Sequence, residues 1–230
     1  MGRVTSRPAE RPHAERRRDA DRTKAEILEV AGREFARHGY DGARVDDIAA
    51  LTRTTKRMIY YYFGGKEGLY IKVLEDAYVR VRDVERSLDV EHLGPVEAMR
   101  RLAELTFDYH EAHGDFIRLV SIENTHHAEH IRKSAVLGNL GSPAVEVLER
   151  ILADGRASGA FVTEVDAVDV HILISSFCFF RIANQHTFGA LFGRDIAGEE
   201  HRDRLRRMVG DMVIAYLRGQ GGAPVPRPGA

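Results

Sequence analysis

Between Thr52 and Lys66 the chain carries four cations, Arg53, Lys56, Arg57 and Lys66, and no acid. The same stretch holds Tyr60, Tyr61, Tyr62 and Phe63 in an unbroken run. Guanidinium and ammonium groups neutralise phosphates and release their counterions. Phenolic hydroxyls add short bonds to phosphate oxygens, which fix position along a duplex. A solvated basic face would not need four consecutive aromatic rings, so the pattern implies contact with a polyanion. The wider charge distribution agrees. Net charge is −1, but residues 1–72 hold 16 Lys+Arg against 11 Asp+Glu, and residues 73–230 hold 18 against 24. Positive charge gathered at one end of a near-neutral chain marks that end for an anionic partner.

The elements that must position these groups are short helices. Thr23 and Glu26 fit a capping box, and Ile27, Leu28, Ala31 and Phe35 then recur at helical spacing until Gly39. Val45–Leu51 reads as a second helix with Asp46 and Asp47 in its first turn, where the helix dipole favours them. Thr52–Thr55 is a polar turn, and Thr55 caps a third helix that runs to about Tyr62. Gly64 and Gly65 end it, and a fourth helix begins near Lys66 and continues toward Arg86. Two short helices joined by a four-residue turn form a helix-turn-helix, which sets its second helix in the major groove of DNA.

At these residues the sequence resembles the TetR/AcrR family of bacterial repressors. The matching stretches are Arg22–Leu28, Phe35–Tyr40, Val45–Ala49, Thr55–Phe63 and Lys66–Leu69, which lie within a span of about 50 residues of the 230. The resemblance implies roles residue by residue. Thr55, Lys56 and Arg57 open the recognition helix and meet phosphates or base edges, with Thr54 just before them. Tyr60 and Tyr62 match phosphate-contacting aromatic positions, Tyr61 shares that work, and Lys66 matches a backbone-contacting lysine. Phe35, Ile48, Ile59 and Phe63 read as core of the small domain. Three positions depart from the pattern. Arg44 stands where a capping Ser or Thr is usual, so it is a further candidate phosphate contact and the cap must come from elsewhere. Arg53 replaces a turn glycine, which implies a different turn or a strained residue. Arg57 replaces a small residue and reaches either a phosphate or a guanine edge, the latter worth about 1–3 kcal/mol of discrimination.

The rest of the chain is helical by pattern, with segments near 95–113, 115–125, 142–157, 166–184 and 199–217. Pro95 and Pro143 sit at first-turn positions, where a missing N–H is harmless. The fold expected is all-α, with about nine helices: a disordered basic arm over 1–20, a helix-turn-helix domain over 21–70, a larger ligand-binding and dimerisation domain over 71–219, and a flexible tail over 220–230. By resemblance, the helices at 166–184 and 199–217 pair with their mates in a homodimer, presenting Val168, Ile172, Leu173, Ser176, Phe179 and Phe180 on the first, and Leu205, Met208, Val209, Met212, Ala215 and Tyr216 on the second. A two-fold dimer matches a near-palindromic DNA operator.

The effector pocket is expected in the larger domain. Arg181 emerges from the apolar run Phe177–Phe180 and, if buried, needs an anionic partner, either an internal acid or a ligand carboxylate. Asn184 shares its helix face. Phe107, Tyr109, Phe116, Ile122 and Phe177 are candidates for an apolar wall. The effector read from these residues is a mainly apolar organic molecule with an acidic group. An alternative is a metal sensor built on His126, His127 and His130 after Glu123, with His171 or His186 completing the ligand set; another is an activator in place of a repressor. The single cysteine, Cys178, excludes an intrachain disulfide and reads as a buried small hydrophobe. Enzyme motifs are missing: the sequence has no phosphate-binding Walker loop, nucleophile elbow, His-Glu-x-x-His or dinucleotide fingerprint, and no cofactor is implied. The apolar run Val170–Phe180 is far below the roughly 20 residues that span a bilayer, and the arginine-rich start lacks a signal's apolar segment, so a cytoplasmic protein is expected.

Overall fold

The computed structural model describes residues 13–90, 92–140 and 143–219. Every regular element among them is a helix: α1 (His13–Gly42), α2 (Val45–Leu51), α3 (Lys56–Phe63), α4 (Lys66–Arg86), α5 (Pro95–Ala112), α6 (Gly114–Thr125), α7 (Glu129–Arg132), α8 (Ala135–Gly138), α9 (Pro143–Ala157), α10 (Ala167–Ala183), α11 (Gln185–Phe192) and α12 (Glu199–Leu217). The chain divides into two compact units, Met1–Val73 and Leu74–Ala230. The expected tail over 220–230 and the first twelve residues of the expected arm lie outside the described residues.

In the first unit, Ile27, Ala31, Phe35, Ile48, Ile59 and Leu69 are buried together with Tyr70. Phe35 meets Tyr70 edge-on at 4.8 Å. The predicted start of α1 is corrected. The helix begins at His13, and Thr23 lies well inside it, its hydroxyl donating to the Asp19 carbonyl at 2.8 Å instead of capping. The helical run is broken at Gly39, whose φ of 71° and ψ of 172° leave the helical region. Gly68, in the first turn of α4, is required by close approach: a Cβ there would stand 1.9 Å from the Phe63 carbonyl oxygen. Phe63 itself is half-buried rather than core.

The second unit packs α5, α9, α10 and α12 around one core, in which Met99, Leu102, Phe107, Leu148, Ile174, Val213 and Leu217 are fully enclosed. Pro95 occupies the first turn of α5 as expected. Polar groups tie the same helices together. Glu111 on α5 accepts from Arg181 of α10 and from Arg202 of α12, the latter at 2.5 Å. Asp108 accepts from Arg202 at 2.8 Å and from Arg206 at 2.9 Å, and Glu104 accepts from Arg206 at 2.5 Å. Cys178 is buried, and burial pushes its thiol up to about 12, so it is a packing residue. Three helices absent from the sequence-based expectation, α7, α8 and α11, account for the difference between twelve and nine.

Candidate nucleic-acid interface and ligand cavity

The helix-turn-helix is built as its sequence demands. Thr55 accepts a hydrogen bond from the Met58 amide at 3.3 Å, satisfying one of the donors that a helix start leaves orphaned. Gly64 closes α3 in the left-handed conformation, its amide donating to the Tyr60 carbonyl. Arg44 occupies the N-cap position of α2 with no side-chain cap bond. Arg53, in place of the family's turn glycine, has φ of 51°, a left-handed conformation that costs a non-glycine residue about 1–2 kcal/mol.

Burial sorts α3 into two faces. Ile59 is fully buried. Thr55, Lys56 and Arg57 are exposed, as are Arg44, Tyr60 and Tyr61, the last two 49% and 77% accessible, while Thr54 and Tyr62 are half-buried. Arg57 has no partner among the described residues. Three of the cations have local engagements. Lys56 pairs with Asp46 of α2 at 3.0 Å. Lys66 donates to the Asp41 carbonyl at 3.1 Å and sits 4.9 Å from the Tyr40 ring centre. Lys24 stands 5.2 Å from the ring centre of Tyr62. These contacts pre-order the side chains on an exposed cationic and phenolic surface.

The residues expected to line an effector site divide between two places: Arg181 and Phe177 border one groove, with Phe107 against Arg181, whereas Tyr109 and Phe116 line a separate cavity. Arg181 is 3% accessible and committed: it pairs with Glu111, donates through Nε to the Ile196 carbonyl at 3.0 Å, and lies 4.4 Å from the Phe107 ring centre. Its partner is thus the internal acid, and the inference of an acidic effector loses its anchor. Asn184 caps α10, its amide reaching back to the Phe180 carbonyl at 3.3 Å. Phe107 is core, and Phe177 borders a groove formed by α10, α11 and α12 with Phe180, Phe188, Leu205 and Met212.

A separate cavity of about 670 Å³ opens between α4, α5, α6 and α10. Of the expected wall residues, Phe116 and Tyr109 line it. Phe116 meets Tyr78 edge-on at 5.3 Å and Tyr109 at 6.1 Å. The polar wall was not anticipated from sequence: Arg82 and Glu85 on α4, His110 on α5, His171 and Ser175 on α10. Arg82 Nη1 donates to both carboxylate oxygens of Glu85 at 2.9 Å, leaving its buried Nε without a partner among the described residues. His110 Nδ1 is likewise buried and unpartnered. Burial, with smaller contributions from His171 and His113, pushes the His110 imidazole down to about 4. Burial also lowers His171, whose Nε2 lies 3.3 Å from Ser175 Oγ. The helical spacings Arg82/Glu85 and His171/Ser175 were readable signals. What could not be read was that four separate helices converge on them.

The histidine cluster does not assemble a metal site. His130 Nδ1 is 2.8 Å from Glu123 Oε1, both side chains are buried, and Glu123 Oε2 accepts from the Ile131 amide. His127 is exposed in a left-handed turn. Among the described residues no group of three or more His, Cys, Asp or Glu side chains converges to hold a metal, so the metal-sensor alternative has no support.

Comparison with known proteins agrees with this architecture. Residues 27–73 match the model of bacterial regulatory proteins of the tetR family, and residues 95–213 match a tetracyclin repressor-like C-terminal domain. The chain belongs to the tetR family. Members of this family are transcription regulators that bind DNA through a helix-turn-helix, and the chain is accordingly a transcription factor and not an enzyme. Among tetR-family relatives, the transcriptional repressor NicS of Pseudomonas putida is 34% identical over 203 residues, covering 88% of this chain and 96% of that one. The repressor SCO4008 of Streptomyces coelicolor is 30% identical, covering 85% and 97%. The solved structure of the putative transcriptional regulator SCO4942 from Streptomyces coelicolor superposes with a TM-score of 0.62 at 28% identity, covering 83% and 97%. No single described helix is long and apolar enough to cross a membrane.

Proposed function

We propose that this tetR-family chain is a homodimeric repressor that grips a palindromic operator through α3 and is released when an organic effector enters the cavity between α4, α5, α6 and α10. The observation that carries the reading is the division of α3 into a buried Ile59 side and an exposed side bearing Lys56, Arg57, Tyr60 and Tyr61 without an acid. Arg57 and the tyrosines supply phosphate and base-edge contacts, and Arg44, Thr54, Thr55, Tyr62 and Lys66 extend the phosphate-contacting surface. Two relatives named as repressors favour repression over activation. Work on a chromosomal operator implies a cytoplasmic protein.

Dimerisation is assigned to α10 and α12, which expose Val168, Ile172 and Phe180, and Met212 and Tyr216. A second copy covers these side chains, and its two-fold symmetry matches a palindrome. The effector acts by binding more tightly to a state whose recognition helices are wrongly spaced for successive grooves, since equal affinity for both states would shift nothing. Helix α4 is the natural relay. It begins with Lys66 beside the helix-turn-helix and carries Tyr78, Arg82 and Glu85 of the cavity wall.

The test is operator affinity, using a duplex selected from a randomised pool. Arg57→Ala and Tyr60→Ala should each weaken binding by about 1–3 kcal/mol, with a shallower salt dependence wherever the lost contact is to phosphate. Binding unchanged by both substitutions would remove α3 from the interface.

A further inference from the structure

Resting on the reading of the α4–α5–α6–α10 cavity as the effector site, we infer that its guest is an uncharged planar ring compound carrying a carbonyl-type acceptor, and not a carboxylate. The argument begins with charge. The cavity wall contains one cation and one anion, Arg82 and Glu85, and each is satisfied by the other through two hydrogen bonds of 2.9 Å. Its remaining titratable side chains are Tyr78, Tyr109, His110 and His171. Both phenols are shifted up and both imidazoles down, each chiefly by burial, so all four stand neutral near pH 7. An entering carboxylate would meet no free positive charge. To gain one it would have to displace Glu85 from Arg82 and strand that acid in a partly buried wall, and a buried charge deprived of its partner is strongly unfavourable.

The same wall offers good terms to a neutral guest. Arg82 Nε is a buried N–H with no acceptor among the described residues, and His110 Nδ1, on another residue of the cavity lining, is also buried and unpartnered. A neutral imidazole presents one donor and one acceptor, so it can serve a carbonyl or a hydroxyl. A guest oxygen that accepts from such groups removes an existing deficit without adding charge. Shape points to a flat ring. Tyr78 and Phe116 cross at 83°, and Tyr109 and Phe116 at 74°, forming an angled aromatic wall against which another ring packs by face or edge. A volume of about 670 Å³ lies within the range of small-molecule sites and accommodates two fused rings.

The experiment is calorimetric titration of the full chain near neutral pH with 2-naphthamide and 2-naphthoate, which share a shape and differ in charge. The amide should bind at least about tenfold more tightly. Glu85→Gln, which frees the Arg82 guanidinium, should raise naphthoate affinity by about tenfold or more. Ser175→Phe, which projects a ring into the cavity, should weaken the amide by a similar factor. Naphthoate binding to the unaltered chain as tightly as the amide overturns the inference, as does failure of both to bind at about 1 mM. So does amide affinity unaffected by Ser175→Phe. Operator release is measured separately by anisotropy of a labelled duplex. Amide that binds the cavity yet leaves the DNA complex intact would sink the regulatory role of the cavity while leaving the assignment of its guest standing. Naphthoate that binds more tightly and releases the duplex would do the reverse.

Discussion

Single residues carry the clearest departures from a consensus helix-turn-helix. Arg53 holds φ of 51° in an exposed turn, a conformation glycine adopts without steric cost. Arg53→Gly should therefore stabilise the protein against thermal or urea unfolding by about 1 kcal/mol, offset in part by glycine's freedom in the unfolded chain. This strain was legible in the sequence, because an arginine stood where the family pattern has glycine. The neutral state of His110 was not legible, since burial among side chains from four helices produces it. It has a measurable sign. The folded-state value of about 4 lies below the unfolded value of 6.5, so the unfolded chain binds more protons between those limits. Stability is complete above pH 6.5 and is lost as pH falls toward 4. This histidine accounts for about 3 kcal/mol at the acid end. His110→Gln should flatten most of that slope in urea titrations between pH 4 and 6.5, with His171, also lowered, supplying the remainder.

At the scale of elements, the long helices were readable because apolar periodicity, first-turn prolines and terminal glycines agreed with one another. Thr23 shows where local signals mislead. Its pairing with Glu26 has the form of a cap, but a threonine hydroxyl can equally bond back to the carbonyl four residues earlier, and here it does so to Asp19. Helix α11 has no counterpart in the sequence-based expectation; the chain bends at Asn184, and α10 and α11 meet at 68°. Arg181 belongs to this scale because it joins α10 to α5 through Glu111. Arg181→Ala should lower unfolding stability by about 1–3 kcal/mol, since it removes one of the two cations that pair with Glu111 and the bond to the Ile196 carbonyl, while Arg202 keeps its pair with that acid. If Arg181→Ala left stability intact and abolished only the response to effector, the residue would be a ligand anchor after all.

For the whole molecule, the proposed function turns on the pairing of two chains. Val168 and Phe180 on α10 are about half accessible, and Val209, expected on the same apolar surface of α12, is instead sealed in the core. The helical period placed Val209 and Met212 on one stripe, but the subunit's own core encloses Val209 and leaves Met212 exposed, a division the sequence pattern does not mark. Val168→Glu with Phe180→Glu should shift the protein to a monomer in sedimentation equilibrium and weaken operator binding by more than either half-site contact, while leaving the helical content of each subunit unchanged. The solitary thiol supplies a practical consequence. Cys178 is sealed in the core and poorly ionised, so sulfhydryl reagents will pass it by. A cysteine installed at Tyr61, the most open ring of α3, becomes the sole attachment point for a paramagnetic tag on the native chain. Pulsed resonance between two such tags would then read the spacing of the two reading heads, with and without guest, without first deleting any natural sulfur.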